Sequence, residues 1–242
     1  MNPETLRAML EAEDLHPWYR ARLSLIAEWN SRLQLEEVLD STFADVGCGS
    51  GAVGAAFKTL SGANVIGVDV SEDARAAATF RGLQTLSGSA TELPFKNEEL
   101  GGILAFEVIE HVEDDREALR EFYRVIKKNG HLFITVPAHQ FLWSNHDVLN
   151  HHFRRYSKSS LVKLVRSEGF AILECRYWNS FLFPIFLLTR KFHNKSDKIN
   201  SEFNLPPKFL ANFLENLLRM ESKYPILGKL IGVSLVLKAK KL

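Results

Sequence analysis

Two carboxylates and an imidazole lie within five residues of each other in Glu107-Val108-Ile109-Glu110-His111. The apolar run at 102–106 before them is typical of a buried strand. Such a cluster could bind a hard divalent cation or take a proton from a hydroxyl nucleophile. It could also be architectural, with the glutamate capping the next helix and the imidazole packing in place. We treat Glu107, Glu110 and His111 as candidate catalytic or metal-binding residues and leave these roles open.

The segment 137–156 gathers a second group of polar side chains, including four of the eight histidines in the chain. Its adjacent arginines, Arg154 and Arg155, would suit a carboxylate or phosphate on a ligand. Alternatively, one arginine pairs with a core acid and the histidines are solvated. Because long loops on α/β scaffolds usually carry the site, we predict substrate contact here. The predicted contacts are His139, His146, Arg154, Arg155 and Tyr156, with His152 as a further catalytic candidate.

A glycine-rich turn, Asp45-Val46-Gly47-Cys48-Gly49-Ser50-Gly51, follows a short apolar strand and opens a helix. Glycine permits the tight turn and lets a ligand approach the backbone. Asp69 ends the next strand, 18 residues beyond Gly51, where a carboxylate can accept hydrogen bonds from both ribose hydroxyls. A dinucleotide would also need the helix N-terminus for its pyrophosphate. Asp45 could instead meet an ammonium group, directly or through water.

These motifs together resemble the class I S-adenosylmethionine (SAM)-dependent methyltransferases over about residues 40–176. The resemblance rests on the segments DVGCGSG, VIGVDVS, GSATELPF and FEVIEHV. It implies SAM as cofactor, S-adenosylhomocysteine as product, and a sheet of order 3-2-1-4-5-7-6 with an antiparallel final strand. The cofactor-binding residues it implies are Asp45, Val46, Gly47, Cys48, Gly49, Gly51, Asp69, Val70, Ser89, Ala90 and Phe106.

Two positions depart from that family pattern. Ser89 stands where an acid is usual, so adenine recognition is expected to rest on the backbone near Ser89 and Ala90. Gly101 replaces the usual aspartate at the start of the fourth strand, which should affect capping more than chemistry.

The ExxEH motif also resembles that of the ubiquinone-pathway O-methyltransferases and of the small-RNA 3′-terminal 2′-O-methyltransferases, where it is associated with a divalent metal. Similar motifs occur in methyltransferases without metal, so a divalent cation is the less favoured alternative. The flank HPWYRARLSLI resembles a narrower bacterial subgroup, a resemblance that names no substrate. Trp18 and Tyr19 are expected on a helix at 17–30. This helix either covers the cofactor cleft and contacts substrate or simply packs in the core.

The alternation of strand and helix patterns predicts one α/β domain over 1–242, with a Rossmann-like, seven-stranded, mostly parallel sheet and helices on both faces. We expect helices at 4–13 and 17–30, and a helix from Asp114 or Asp115 to about Lys128 that Asn129-Gly130 ends. The predicted parts are N-terminal helices at 1–35, a SAM-binding core at 40–177 and 229–242, and a helical cap inserted at 178–228. The apolar cap could be a substrate lid, a dimer interface or a peripheral membrane contact.

Composition narrows the class of protein further. The chain has 242 residues, is 46% hydrophobic and has a formal net charge of +1, so nothing global indicates nucleic acid as a partner. Two cysteines outside any CxxC pair suggest neither disulfides nor a zinc site. Without a recognisable signal peptide or apolar span, we expect a cytoplasmic protein.

The predicted function is methyl transfer from SAM to a small or lipid-like acceptor, preferably at oxygen. One alternative is an NAD(P)-dependent oxidoreductase, disfavoured by the missing GxGxxG spacing and Tyr-x-x-x-Lys pair. The other is a degenerate methyltransferase fold that only binds ligands, against which the intact glycines and Asp69 argue.

Overall fold

A seven-stranded sheet organises the protein, as the computed structural model shows for residues 15–30, 41–184, 186–187, 208–224, 228 and 230–242. Its order is β3-β2-β1-β4-β5-β7-β6, which confirms the predicted topology. The strands are β1 (Thr42–Val46), β2 (Asn64–Asp69), β3 (Gln84–Ser87), β4 (Leu100–Phe106), β5 (Ile126–Pro137), β6 (Phe170–Trp178) and β7 (Ser234–Lys241). The helices are α1 (Pro17–Asn30), α2 (Ala52–Ser61), α3 (Glu72–Phe80), α4 (Asp115–Val125), α5 (Asn145–Leu149), α6 (Lys158–Ser167) and α7 (Lys208–Lys223). The helix predicted at 4–13 lies outside the described residues.

The centre of the sheet is apolar on both faces. Every residue of β4 is buried, as expected for a central strand of a parallel sheet covered on both sides. Parallel pairing joins β3, β2, β1, β4 and β5, so the carboxyl ends of these strands meet at one edge. Open α/β sheets bind their ligands at that edge, and the candidate site lies there.

The final strand fills a gap in the sheet rather than extending it. β7 pairs antiparallel with β5 on one side and with β6 on the other, confirming the expected antiparallel strand. Ala239, for example, lies opposite Leu132 of β5 and Ile172 of β6.

The helix before β5 is shorter than predicted. Asp114 caps α4 through the backbone N–H groups of the next turn, but the helix ends at Val125 and not near Lys128. Ile126 instead adopts an extended backbone, pairs with Leu100 and becomes fully buried. The pairing with Leu100 and the burial of this side chain favour the early strand. The Asn129-Gly130 pair therefore lies within an irregular start of β5.

The described part of the predicted cap packs mainly on the N-terminal helix. Glu215 of α7 pairs with Arg20 of α1 at 3.2 Å, and Ser24 of α1 donates to the Ser222 hydroxyl at 2.8 Å. Trp29 of α1 in turn stacks on Phe133 of β5, with ring centroids 4.8 Å apart. Helix α7 is thus an outer layer above α1.

One face of α7 is apolar and exposed. Phe209 and Phe213 are 77% and 61% exposed, and Met220 and Tyr224 are exposed at positions that continue the same helical face. The exposed position of Phe213 does not favour the alternative in which the predicted cap at 178–228 is a substrate lid, because this face of α7 points outward. We call Phe209, Phe213, Met220 and Tyr224 the α7 stripe. Among the described residues, no helix is long and apolar enough to cross a membrane.

Candidate functional site

A cavity of about 350 Å³ opens at the carboxyl ends of β1, β2 and β4. It brings together residues that the sequence places far apart. The predicted residues that line it are Val46, Gly47, Asp69, Val70, Ser89, Ala90, Glu107 and His111, and the further lining residues are Gly88, Val108 and Val112. Gly88 belongs to the motif GSATELPF, and Val108 and Val112 belong to FEVIEHV. Their place in these motifs could have identified them as lining residues.

The glycine-rich turn orients Asp69. The backbone N–H of Gly49 donates to Asp69 Oδ2 at 3.0 Å, and that of Ser71 donates to Oδ1 at 2.9 Å. Each carboxylate oxygen keeps a further lone pair that a hydroxyl could use. Gly47 has a φ of 62°, and a Cβ built there would lie 2.8 Å from Val108 Cγ2. The turn is therefore closed to larger side chains where it borders the cavity, which suits close approach of a ligand.

Asp45 lies beneath the turn instead of in the cavity lining. It is buried, and its Oδ2 accepts a hydrogen bond from the backbone N–H of Gly54 at 2.9 Å. The carboxylate thus ties β1 to the first turn of α2. Direct contact between Asp45 and a ligand stays a prediction. The hydrogen bond to Gly54 supports an indirect role, in which Asp45 holds the glycine-rich turn in place.

Replacing Gly54 by alanine is expected to lower the free energy of unfolding by roughly 1–3 kcal/mol, a typical cost of overpacking. A Cβ at Gly54 would lie 2.8 Å from Asp45 Oδ2 and 2.9 Å from Leu83 Cδ1. Urea unfolding followed by circular dichroism measures the change. Thr59→Ala, on the exposed side of the same helix, is the control and should stay within about 0.5 kcal/mol of the parent. Equal effects of the two changes would contradict this role of Gly54.

Three other residues of the predicted cofactor set support the turn from outside the cavity lining. Cys48 is buried, and burial together with the nearby carboxylates of Asp45 and Asp69 raises the pKa of its thiol. Gly51 has a φ of 79° and donates its N–H to the Cys48 carbonyl at 2.8 Å. Phe106 packs edge-on against Trp29. None of the three lines the cavity.

The loop beside Ser89 is closed by its own backbone. Ser89 and Glu92 exchange backbone hydrogen bonds at 3.2 Å and 3.0 Å, and the Ser89 hydroxyl accepts from the backbone N–H of Thr91. Ala90 also lines the cavity and is the better candidate for a backbone contact to a base.

The two glutamates of ExxEH lie at different depths. Glu107 lines the cavity and has a φ of 57°, and its N–H is held by the Thr135 carbonyl at 2.9 Å. Glu110 is fully buried, and neither of its carboxyl oxygens has a hydrogen-bond partner within the described residues. Burial, followed by the Glu107 carboxylate, raises the pKa of Glu110 well above its usual value. The Glu110 side chain is therefore neutral over a wider pH range than an exposed glutamate.

Three side chains that could bind a metal ion lie close together, and two of them belong to the predicted set of Glu107, Glu110 and His111. One donor atom from each of Glu110, His111 and His152 lies within 4.8 Å of the others. The His111 and His152 rings meet edge-on at 4.6 Å between centroids. Partial burial, then His152, lowers the pKa of His111, so its imidazole is neutral near pH 7. His152 thus joins the site in place of Glu107 as the third potential ligand.

The arginines of the long loop are engaged within the protein. Arg155 is buried, and its Nε donates to Asp147 Oδ1 at 2.6 Å. Arg154 pairs with Asp115 at 2.9 Å, and the Tyr156 hydroxyl donates to the same carboxylate at 2.8 Å. The structure therefore favours the alternative in which an arginine pairs with a core acid, and contact of Arg154, Arg155 and Tyr156 with a substrate stays a prediction.

Asp147 is the acid at the centre of this loop. Burial opposes its ionisation, but hydrogen bonds from His152 and Arg155 outweigh burial and hold the pKa of Asp147 below its usual range. Asp147 is not among the site residues predicted from the sequence. Its spacing of five residues from His152 and eight from Arg155 gives no helical or strand signal that would have done so.

The remaining predicted contacts lie outside the cavity lining. Trp18 and Tyr19 are on α1, with the Arg22 guanidinium over both rings at 5.0 and 5.2 Å from the centroids. His146 lies 6.0 Å from His152 between ring centroids. His139 stacks on Tyr177 at 5.0 Å. Their contact with a substrate stays a prediction.

Acidification is expected to destabilise the protein through His139. Burial lowers the pKa of His139 below its ordinary value. Between that lowered pKa and about 6.5 the unfolded chain binds more protons, so stability falls as pH falls through this window. His139→Phe keeps the ring stacking and removes the titration, so its free energy of unfolding should decline less between pH 7.5 and 5.5. One group contributes at most about 1.4 kcal/mol per pH unit. Urea titrations of both proteins at several pH values measure the free energy of unfolding. If its dependence on pH were the same in the variant as in the parent, this role of His139 would be refuted.

Comparison with known proteins agrees with the geometry. A family model for the methyltransferase domain matches residues 44–134. A demethylmenaquinone methyltransferase of Chlorobaculum tepidum is 30% identical over 115 residues, which cover 47% of this chain and 48% of that protein. A ubiquinone biosynthesis O-methyltransferase of Pseudomonas putida is 34% identical over 101 residues, covering 38% of this chain and 42% of that protein. This chain therefore spans about half the length, or less, of these curated relatives.

The fold extends beyond the matched segment. The crystal structure of a SAM-dependent methyltransferase from Thermotoga maritima superimposes with a TM-score of 0.60 at 20% identity, covering 99% of this chain and 96% of that one. At this identity the likeness concerns the fold alone.

Proposed function

We propose that this chain, whose residues 44–134 match a family model for the methyltransferase domain, is a class I methyltransferase that transfers the methyl group of SAM to an oxygen of a small or lipid-like acceptor. The observation that carries the proposal is the position of Glu107 and His111 in the wall of the cavity that Asp69 also lines. A nucleoside-binding acid and a potential proton acceptor thus face one ligand space.

The residues in the cavity fit the proposed cofactor. Gly47 leaves room where a Cβ would collide with Val108, and Asp69 presents an oriented carboxylate to a ribose. Exposed Val70 and the chain at Ala90 offer an apolar edge and a backbone for a base. When bound, SAM supplies an electrophilic methyl group, so the protein must bring the acceptor oxygen into line with it and take up the hydroxyl proton.

The residues near Glu107 can hold that proton. His111 is neutral near pH 7 because its pKa is lowered, so an acceptor hydroxyl could pass its proton to the imidazole. Glu107 could orient the hydroxyl from the cavity wall. If a divalent cation binds, Glu110, His111 and His152 are the residues that would hold it. A cation there would lower the pKa of a coordinated hydroxyl.

The acceptor class rests on two observations. The curated relatives named above are a demethylmenaquinone methyltransferase and a ubiquinone biosynthesis O-methyltransferase. The exposed α7 stripe gives this chain an apolar surface of its own. A hydroxylated aromatic acceptor with an apolar tail fits both.

Labelled SAM distinguishes the acceptor classes. We would incubate the protein with methyl-labelled SAM and, in separate reactions, a short-chain catechol quinol precursor, a demethylated naphthoquinol, an aliphatic amine and phosphoethanolamine. Label in the hydroxyl of the catechol is expected. Label only in the carbon of the naphthoquinol, or only in an amine, would overturn transfer to oxygen. SAM binding with no transfer to any acceptor or to a lipid extract would favour the binding-module alternative.

The α7 stripe should also bind membranes weakly. Aromatic side chains on an exposed helix face gain free energy at a lipid interface. We expect flotation with liposomes that contain anionic lipid, and its loss in the double change Phe209→Ser and Phe213→Ser. Phe80→Ser is the matched control, since Phe80 is 70% exposed on α3, away from the stripe. Unchanged flotation of the double variant, or a dimer that dissociates in it, would refute the membrane contact.

A further inference from the structure

We infer that Asp147 is a positioning residue that fixes His152 in the tautomer with its proton on Nδ1, so that Nε2 is the nitrogen available to the cluster of Glu110 and His111. The inference rests on the proposed methyl-transfer site for its effect on turnover. The tautomer itself follows from the contacts and can be observed without any substrate.

The contact between the two side chains is short and shielded from water. His152 Nδ1 lies 3.0 Å from Asp147 Oδ1, with the two side chains 7% and 0% exposed. The backbone N–H of His152 also donates to the Asp147 carbonyl at 2.8 Å, which closes a small ring between the residues. A buried histidine held at side chain and backbone by one aspartate has little freedom to flip.

The other contacts of Asp147 keep its carboxylate fixed as an acceptor. Arg155 Nε donates to Oδ1 at 2.6 Å, and the backbone N–H and hydroxyl of Ser144 donate to Oδ2 at 2.8 Å and 3.3 Å. A carboxylate paired with a guanidinium is ionised and can only accept hydrogen bonds. The imidazole must then place a proton on Nδ1, which in the neutral ring leaves the lone pair on Nε2.

The held ring is joined to the catalytic candidates in two ways. Its partner His111 meets it edge-on at 4.6 Å between centroids. The next residue, Phe153, donates its N–H to the Glu110 carbonyl at 2.8 Å, which ties the loop to the ExxEH turn. Movement of His152 would therefore disturb the wall of the cavity. Because Nε2 can serve a proton or a cation, the tautomer matters for both mechanisms left open above.

If Asp147 had a purely structural role, the variants of Asp147 and Arg155 would behave alike. Arg155 also donates from Nη1 to the Ala138 carbonyl at 3.2 Å, so the pair with Asp147 helps to close the loop between its ends. If closing the loop were its only role, removing either partner would have similar consequences. Asp147→Asn and Arg155→Gln therefore form a matched pair, since only the first changes the group that faces His152.

The test records ¹⁵N spectra of histidine-labelled protein at pH 8, with His152→Gln to assign the signal. In the parent, we expect the shifts of His152 to be those of the Nδ1–H tautomer, and in Asp147→Asn a mixture or the Nε2–H tautomer. Arg155→Gln should lower the melting temperature but keep the tautomer. An Nε2–H tautomer in the parent overturns the inference even if neither variant folds.

Turnover provides the second measurement. We expect Asp147→Asn to lower kcat by about 10- to 100-fold with S-adenosylhomocysteine affinity unchanged, and Arg155→Gln to lower kcat by less than about threefold. Equal loss in both variants would assign Asp147 a structural role only and overturn the positioning role. Absence of methyl transfer in the parent would refute the proposed function, while the tautomer measurement would still decide the geometry.

Discussion

Asp69→Ala is expected to weaken binding of S-adenosylhomocysteine by about 10- to 150-fold, equivalent to the roughly 1.5–3 kcal/mol of a hydrogen bond to a charged group. The change removes the carboxylate that faces the cavity and also the acceptor that holds the N–H groups of Gly49 and Ser71. Isothermal titration calorimetry at constant salt measures the affinity, because the product avoids turnover during the titration.

Two further variants separate the ribose contact from loss of charge. Asp69→Asn keeps the side-chain shape but offers one acceptor oxygen, so an intermediate affinity is expected. Asp73→Ala removes an exposed carboxylate from the first turn of α3 and should bind like the parent. If Asp69→Ala retained the parent affinity while remaining folded, the assignment of Asp69 to the ribose would be wrong.

Glu110→Gln and His111→Ala should lower turnover by about 10²- to 10⁴-fold, the range expected when a general acid or base is lost. Their melting temperatures should stay within a few degrees of the parent. Glutamine has nearly the shape of glutamate, and burial raises the pKa of Glu110, so an uncharged side chain is tolerated better there than at an exposed site. His111 keeps an exposed edge, and its loss opens little core volume. Steady-state kinetics with the acceptor that the labelled-SAM experiment selects, together with thermal melts, measure both effects.

Chelation distinguishes the two chemical roles of the ExxEH cluster. Activity lost on rigorous removal of divalent cations and restored by magnesium would favour a cation held by Glu110, His111 and His152. An unchanged rate would remove that branch and leave proton transfer. Glu113→Gln, an exposed acid two residues past the motif, is the control and should retain full turnover. Full turnover in Glu110→Gln and His111→Ala would leave the motif only an architectural role.

The sheet was predictable because its signals are local. Most strands contain a short apolar run next to a turn or helix signal, with the polar β3 as the exception, and the glycine-rich turn and Asp69 mark the ends of β1 and β2. The end of α4 was not predictable in the same way. The choice between helix and strand at Ile126 depends on pairing with Leu100, which is 26 residues away in sequence.

The site was predictable only where its residues follow strands. Asp69 and Glu107 lie at strand ends, so the parallel sheet itself brings them together. The sequence shows which polar side chains the 137–156 loop contains, but not which of them form ion pairs with each other. Asp147 and Arg155 could equally have been solvated, and only the closed loop shows that they form a buried ion pair.

The position of β7 has a consequence for synthesis on the ribosome. Strands β1 to β5 can pair as soon as they emerge, but β6, which among the described strands pairs only with β7, must wait until residues 234–241 leave the exit tunnel. Until then the growing chain presents the unpaired edge of β5 and an unpaired strand with buried residues such as Phe170 and Trp178. Unpaired edges and exposed apolar side chains are sites of aggregation. Chaperones that bind apolar segments should therefore engage the growing chain once β6 has emerged, and release should coincide with the insertion of β7 between β5 and β6.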